Sequence, residues 1–181
     1  SNWDEDIKSF SKVLEYDDAD VDALSEIGYS YIQLHKWEKA IGNFTEVLKH
    51  EPENVMALSN LGYCYSKLEK YPKALEYFEK SITHEHWDKG KYALTQMLNI
   101  YFFDLDDCKK ADEIADQLIK KFEDQHFAFY VKGNVACDKG KNEESITYLK
   151  QSLEIISKEK QTDTIIEARD DCLRVLANNY G

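Results

Sequence analysis

A pattern of apolar and glycine positions recurs in this chain at an interval of 34 residues. The paired positions are Leu24 and Leu58, Ile27 and Leu61, Gly28 and Gly62, Tyr31 and Tyr65, Ala40 and Ala74, and Phe44 and Phe78. Steps of three and four within each copy place these residues on one face of a helix. A fixed period of this length predicts stacked helical repeats, because one unit cannot bury its apolar face alone.

Gly28 falls in the middle of a predicted helix, where glycine costs about 0.5–1 kcal/mol relative to alanine. We expect the paired helix to approach closely there, with the ring of Phe44 filling the space that a side chain would take. Pro52 ends the second helix of the unit, because the residue before a proline is pushed out of the α region.

These residues, in this order and spacing, resemble the tetratricopeptide repeat, a 34-residue helix–turn–helix unit. The resemblance implies an all-α fold, a right-handed superhelical solenoid of helix pairs. It divides the chain into an N-terminal helix in 1–20, which is either a half repeat or a cap, repeats in 21–54, 55–88, 89–125 and 126–159, and a C-terminal capping helix in 160–181. The alternative is an ordinary helical bundle whose spacing is coincidental.

The third repeat departs from the pattern. If Ala111 opens its second helix, three extra residues lie in the preceding connection, after His84 and close to Gly90. Asn99 then stands where glycine is expected, and Ala115 where the aromatic ring is expected.

The fourth repeat regains the register, with Gly133 and Leu149 at the expected places and Lys132 where an apolar residue is usual. The last helix is predicted to begin at Thr164, whose pairing with Glu167 would form a capping box. Its predicted inner face holds Ile165, Ala168, Cys172 and Leu176, and its other faces are polar, as the end of a solenoid requires.

The formal charge of −12 argues against nucleic acid and against an anionic membrane surface, since phosphate binding needs a basic protein surface. It favours a neutral to basic protein partner. No run of 18 apolar residues exists, so we expect no membrane insertion. The four cysteines, Cys64, Cys108, Cys137 and Cys172, lack CxxC spacing and are predicted to be free thiols, which favours a cytoplasmic location.

Catalytic and metal-binding patterns are weak. His84 and His86 form an HxH pair, but a spacing of two does not place both imidazoles on one helical face. There is no glycine-rich phosphate loop and no Ser/His/Asp or Cys/His arrangement. We therefore expect no enzyme activity, no cofactor and no metal site.

In the family that the chain resembles, the first helix of each unit lines a concave groove that takes extended or helical peptides. Carried over position by position, the expected groove residues are Ser25, Tyr29, Gln33, Ser59, Asn60, Tyr63, Lys67, Gln96, Ile100, Phe103, Asp104, Phe127, Tyr130, Asn134 and Asp138. Co-chaperones of this family hold a C-terminal carboxylate between lysines, asparagines and an arginine. Of those positions only Asn60 matches here, so that function is not expected.

The resemblance implies a non-catalytic module that binds a peptide or partner helix in the groove. One alternative is a bacterial chaperone or assembly factor for secreted or envelope proteins. Another is self-association through the N-terminal helix, driven by exposure of Trp3, Ile7 and Phe10.

Overall fold

The computed structural model describes residues 2–83, 87–122, 125–158 and 163–180, and helices joined by short turns make up this part of the chain. The helices are α1 (Trp3–Leu14), α2 (Val21–Gln33), α3 (Trp37–His50), α4 (Val55–Lys67), α5 (Tyr71–Thr83), α6 (Trp87–Asn99), α7 (Cys108–Lys121), α8 (His126–Asp138), α9 (Asn142–Lys158) and α10 (Asp163–Tyr180). A π-helical turn, Ile100–Asp104, follows directly on α6. No strand occurs among the described residues, and the predicted all-α fold is confirmed.

The chain divides into two compact units, Ser1–Gln96 and Met97–Gly181. In the first unit α1 packs on α2, α2 on α3, α3 on α4 and α4 on α5, and α2 also contacts α4. In the second unit the π-helical turn packs on α7, α7 on α8 and α8 on α9, while α10 packs on both α8 and α9. Most of these contacts join helices that follow one another in the chain, which is how stacked repeats bury their apolar faces.

A close approach between paired helices recurs in three of the helix pairs. A Cβ atom added to Gly28 would lie 2.8 Å from Cζ of Phe44, and one added to Gly62 would lie 2.7 Å from Cδ1 of Phe78. At Gly133 the nearest atom is Cγ of Leu149, at 2.6 Å. Separations below about 3 Å leave no room for a side chain, so the predicted contact between glycine and ring is confirmed.

The turn inside each helix pair contains one residue in the left-handed region: His35, Glu69, Asp106 and Gly140, with φ of 55°, 56°, 50° and 69°. A residue in the left-handed region ends a helix because it lets the following backbone amide donate a hydrogen bond to a carbonyl in the last turn of that helix. These four positions are 34, 37 and 34 residues apart. The three extra residues of the third repeat therefore lie between Glu69 and Asp106.

The extra residues lengthen the first helix of the third repeat. Gly90 lies within α6. Helix α6 has 13 residues and continues into the five residues of the π-helical turn, whereas α4, the first helix of the second repeat, has 13 residues and no such continuation. The prediction that they lie in a connection near Gly90 is thus wrong, and His84 falls outside the described residues. A π turn is wider than an α turn, so it takes up extra residues without breaking the helix. The Asp107 amide donates a hydrogen bond to the carbonyl of Tyr101, six residues earlier, whereas the equivalent bond from Lys70 goes to Tyr65, five residues earlier.

The apolar core of each unit is continuous across neighbouring helices. In the first unit its fully buried members include Ala40, Phe44, Val47, Leu61 and Cys64, and Leu14 of α1 packs against them. Helix α1 thus covers α2 as α3 covers α4.

In the second unit Leu149, Ile156, Cys172 and Leu176 form the buried cluster. Ile165 and Ala168 pack against it at partly buried positions. The predicted inner face of the last helix is confirmed.

The glycine contact can be tested with a matched pair of alanine substitutions. Gly28→Ala is expected to lower the free energy of unfolding by about 1–3 kcal/mol, because the buried ring of Phe44 must move. Gly42→Ala, on the exposed side of α3 with no atom within 4 Å of its added Cβ, should raise it by about 0.5–1 kcal/mol. Urea unfolding followed by circular dichroism measures both, and equal midpoints for the two variants would contradict the contact.

Candidate functional site

The predicted groove tyrosines of the first unit are partly covered by tryptophans. The ring of Trp3 stands edge-on to Tyr29 with centroids 6.0 Å apart, and Trp37 meets Tyr63 in the same way at 5.9 Å. The two pairs are related by the 34-residue period, so α1 and α3 each place their first residue, a tryptophan, against a tyrosine of a first helix. Tyr29 remains exposed, whereas Tyr63 is half-buried and has the amine of Lys67 5.2 Å from its ring centroid.

The predicted exposure of Trp3, Ile7 and Phe10 on the N-terminal helix is not found. All three are half-buried, since α1 packs along α2. The exposed apolar side chains at this end are Val13 and Tyr16, and the side chain of Tyr16 is 93% exposed in the turn after α1.

A shallow cavity of about 300 Å³ lies on the first unit and is lined by Val55, Met56, Ser59, Asn60 and Tyr92. Ser59 and Asn60 are predicted groove residues, but Ser59 is only 9% exposed and so offers little surface. Met56 and Tyr92 are exposed, and the groove positions carried over from the family omitted them. Tyr92 was not among the predicted groove residues because α6 begins earlier than the repeat pattern implies. Two large apolar groups beside the amide of Asn60 form a surface suited to a peptide side chain.

The remaining predicted residues of the first unit are polar. Gln33 and Lys67 are exposed, and Ser25 and Gln96 are half-buried. None of these positions carries a negative charge.

In the second unit the π-helical turn separates two predicted groove residues. Ile100 is 3% exposed and belongs to the core, so its predicted place in the groove is corrected. Phe103 is 63% exposed. Because a π turn advances fewer degrees per residue than an α turn, the side chains after Ile100 leave the register that the family pattern assumes.

Four rings of the second unit form what we call the aromatic cluster: Phe102, Phe103, Phe127 and Tyr130. Phe103 stacks on Phe127 with centroids 5.8 Å apart and planes 20° apart, and Phe127 continues to Tyr130 at 6.3 Å and 22°. Phe102 meets Phe103 edge-on at 4.9 Å and Tyr130 at 6.2 Å. Helix α8 and the π-helical turn therefore present one aromatic surface, and three of its four rings, Phe103, Phe127 and Tyr130, are predicted groove residues.

Tyr130 is a half-buried polar group of the aromatic cluster. Burial raises the pKa of its hydroxyl, and the nearby carboxylate of Asp171 raises it further. The Asn134 side-chain amide donates to the backbone carbonyl of Tyr130 at 2.9 Å, which holds that amide against the helix. Tyr130 therefore stays neutral at neutral pH.

Carboxylates end both elements that carry the aromatic cluster. Asp104 is the last residue of the π-helical turn, and Asp138 is the last residue of α8, 11 residues after Phe127. Burial, together with the charges of Asp106 and Asp138, raises the pKa of the Cys108 thiol, which lies 3.9 Å from Asp106. Asp106 and Asp138 therefore both lie close to Cys108.

Helix α8 is held to α7 by an ion-pair network. The ammonium of Lys132 lies 2.8 Å from Asp112 and 2.7 Å from Asp116, and Lys139 lies 3.2 Å from Asp112. Burial alone would lower the pKa of Lys132, but its hydrogen bonds to the two carboxylates outweigh burial and raise that pKa. Lys132 thus occupies an apolar position of the repeat because two carboxylates satisfy it.

The buried thiols have no reactive environment. Burial raises the pKa of Cys64 to about 12, and burial also raises that of Cys172, whose thiol lies 3.4 Å from the hydroxyl of Ser152. None of the four cysteines forms a disulfide. Within the described ranges, no group of three or more His, Cys, Asp or Glu residues could hold a metal ion. The HxH pair, His84 and His86, lies outside the described residues.

No helix in the part of the chain that the structure describes has both the length and the apolar character needed to cross a membrane.

Family models described as the tetratricopeptide repeat match residues 55–88 and 128–159. No curated protein matches the chain in sequence. Among solved structures, MamA is similar over 87% of this chain and 90% of its own, with 21% identity and a TM-score of 0.78.

Two other solved structures share the fold. YrrB, described as a TPR protein with an unusual peptide-binding site, covers 95% of this chain and 94% of its own, with 15% identity and a TM-score of 0.65. PilW, described as a widely conserved type IV pilus biogenesis factor, covers 98% and 83%, with 15% identity and a TM-score of 0.71. The fold class predicted from the sequence is confirmed.

The ion-pair network predicts a pH-dependent contribution to stability. Asp112→Asn should lower the free energy of unfolding at pH 7 by about 1–3 kcal/mol, because charge-assisted hydrogen bonds to Lys132 and Lys139 are lost. Burial alone would raise the pKa of Asp112, but these hydrogen bonds outweigh it and lower that pKa. The stabilisation is therefore complete above the unfolded pKa of about 4 and is lost as the pH falls through the lowered folded pKa.

Urea unfolding of the wild type and of Asp112→Asn at pH 7, 5 and 3 measures this difference. Glu144→Gln is the control, since its ion pair with Lys141 is exposed and should contribute about 0–1 kcal/mol. A difference between wild type and Asp112→Asn that is the same at all three pH values would show that ionisation of Asp112 is not its source.

Proposed function

Because this chain is a tetratricopeptide-repeat protein, we propose that it is a non-catalytic protein-interaction module whose first helices hold a peptide or a partner helix. The observation that carries the proposal is the exposure of large apolar side chains on these helices in both units. Met56 and Tyr92 line the cavity of the first unit, and the side chain of Phe103 is exposed on the second unit. Aromatic residues and methionine are enriched at protein interfaces.

The neighbouring polar groups support a peptide as the ligand. Asn60 lies in the cavity wall, and Gln33 and Gln96 lie on the first helices α2 and α6. Side-chain amides offer both a donor and an acceptor, as a peptide backbone does. An apolar pocket with a few polar groups at its edge is the usual form of a recognition site.

The charge of the chain favours a neutral to basic partner. The formal charge is −12, and complementary potentials select and steer partners. Ser25, Tyr29, Ala93 and Met97 occupy four of the positions at which the family's co-chaperones hold a carboxylate, and none of the four is cationic. We therefore propose a partner that is not recognised through a C-terminal carboxylate.

A second candidate is an assembly factor for secreted or envelope proteins. Its support is the fold shared with PilW, which is described as a pilus biogenesis factor. This function would require a client that is less soluble without this chain. The partner can be expressed with and without this chain, and sedimentation then measures how much of it stays soluble. A partner that stays soluble without the chain favours the interaction module, and one that becomes insoluble without it favours the assembly factor.

Self-association is a separate property that can be measured directly. Val13 and Tyr16 are exposed at the N-terminal end. A light-scattering mass equal to one chain at high concentration would exclude it.

The proposal predicts where a partner will be captured. p-Benzoylphenylalanine placed at Tyr29 or at Phe103 should crosslink the same protein in a lysate of the source cells. The control is the same photoreactive residue at Tyr16, an exposed aromatic position in a turn outside the first helices. Labelling of the same protein from all three positions, or from Tyr16 alone, would refute a site on the first helices.

The captured partner, once purified, allows a quantitative check. Tyr29→Ala should weaken its dissociation constant by roughly 5- to 30-fold, corresponding to about 1–2 kcal/mol for an interface aromatic. Tyr16→Ala should leave the constant unchanged. Isothermal titration calorimetry measures both, and unchanged binding by Tyr29→Ala would remove that residue from the interface.

A further inference from the structure

The walls of the cavity on the first unit are uncharged. Val55, Met56 and Tyr92 give it apolar surface, and Ser59 and Asn60 supply its polar groups. Its volume of about 300 Å³ lies at the lower end of the usual range for ligand pockets, so it suits a single side chain rather than a whole ligand.

Tyr92 offers its ring rather than its hydroxyl to this cavity. Burial raises the pKa of the hydroxyl, and the neighbouring Tyr63 and Cys64 raise it further. The hydroxyl end is therefore enclosed, while 42% of the side chain is exposed, so the exposed part consists mainly of ring carbons. An edge-on contact with Phe78, whose centroid lies 6.4 Å away, holds the ring. Met56 is exposed beside it and adds a flexible thioether that adapts to the shape of its partner.

The side-chain amide of Asn60 is open to a ligand. Within the described ranges it makes no hydrogen bond, whereas the amides of Asn43 and Asn134 donate to the carbonyls of Lys39 and Tyr130. Asn60 is half-buried at the edge of the cavity. Its amide both donates and accepts hydrogen bonds, which matches the N–H and C=O groups of a peptide backbone.

The preceding repeat is acidic at the positions that are neutral here. Asp22 and Glu26, both exposed, lie 34 residues before Met56 and Asn60, and the chain as a whole has a formal charge of −12. This charge repels a carboxylate of a partner. An ammonium group that entered the cavity would lose its hydration without meeting a counter-charge. An uncharged apolar side chain has neither cost and gains free energy from burial.

We propose that this cavity holds one bulky, uncharged apolar side chain of the partner peptide, such as leucine, while the amide of Asn60 binds the peptide backbone beside it. The proposal rests on the proposed function, because it names the part of a peptide partner that the first unit recognises. It adds that recognition at this point depends on apolar contact, although the chain as a whole attracts cations.

The two methionines of the chain provide the measurement. Met56 lines the cavity, whereas Met97 is 3% exposed and belongs to the core. The full chain, labelled with ¹³C at the methionine methyl groups, is titrated with acetyl-GSLGSLGSLG-amide and followed by NMR. Matched peptides replace each leucine by alanine, lysine or glutamate. We expect the leucine peptide to shift the Met56 signal at the lowest concentration and to leave the Met97 signal in place.

The lysine peptide separates binding in the cavity from general electrostatic attraction. A chain of this charge attracts lysine more strongly than leucine wherever binding depends on charge alone. The proposal is overturned if the lysine or the alanine peptide shifts the Met56 signal as strongly as the leucine peptide does. It is also overturned if the leucine peptide leaves the Met56 signal unchanged.

Variants locate the site, and amide shifts of the ¹⁵N-labelled chain measure their affinity for the leucine peptide. Met56→Asp, which introduces the residue type that the preceding repeat has there, should weaken binding by about 5- to 30-fold, the loss usual for an anchoring residue. Asn60→Ala should weaken it by about 2- to 10-fold, because one hydrogen bond is lost. Met56→Leu keeps the apolar surface and should retain binding.

Thr45→Asp is the control, since it adds the same charge at an exposed position of α3 and should bind as the wild type does. Because Met56 and Thr45 are exposed, their variants should fold, and circular dichroism checks this. Normal binding of the leucine peptide by Met56→Asp would contradict the proposal. A partner captured from Tyr29 and Phe103 whose affinity survives Met56→Asp would end the proposal for the cavity alone. Failure of capture at both positions would end the proposed function itself.

Discussion

The packing of one side chain into the space above a helical glycine determines how closely the paired helices of this protein approach. Gly28 with Phe44 and Gly62 with Phe78 use a ring, while Gly133 uses the branched Leu149. Burial of an aromatic side chain is among the largest single contributions that a core residue makes. The glycine is needed because any Cβ would occupy the same volume. The apolar pattern therefore recurs every 34 residues because this contact recurs from one helix pair to the next.

The third repeat shows what happens where that contact is absent. Asn99 and Ala115 replace its two partners, and the π-helical turn begins directly after Asn99. The turn keeps Ile100 in the core and leaves Phe103 at the surface. The departure from the repeat pattern and the aromatic surface that we propose as a binding site thus occur in the same few residues, which fits the frequent association of π turns with function.

The fold could be predicted from sequence because it depends on local periodicity: spacing located the helices of the first two repeats, and a small residue opposite a ring predicted their pairing. The site was less accessible. Ile100 was misplaced because the family pattern assumes an unbroken α-helix, and Tyr92 was missed because α6 begins earlier than the register implies. Lys132 looked out of place because its partners, Asp112 and Asp116, lie on another helix. Such long-range pairs leave no periodic trace in a single sequence.

Two tryptophan rings stand against tyrosines of the first helices, Trp3 beside Tyr29 and Trp37 beside Tyr63. Indole emission is sensitive to polarity and to the mobility of neighbouring groups, and tyrosine transfers excitation to indole over such distances. The first unit therefore carries two built-in optical reporters next to the residues expected to meet a ligand. Occupancy of that face can be read from the intrinsic emission of the unmodified chain, without attaching a dye.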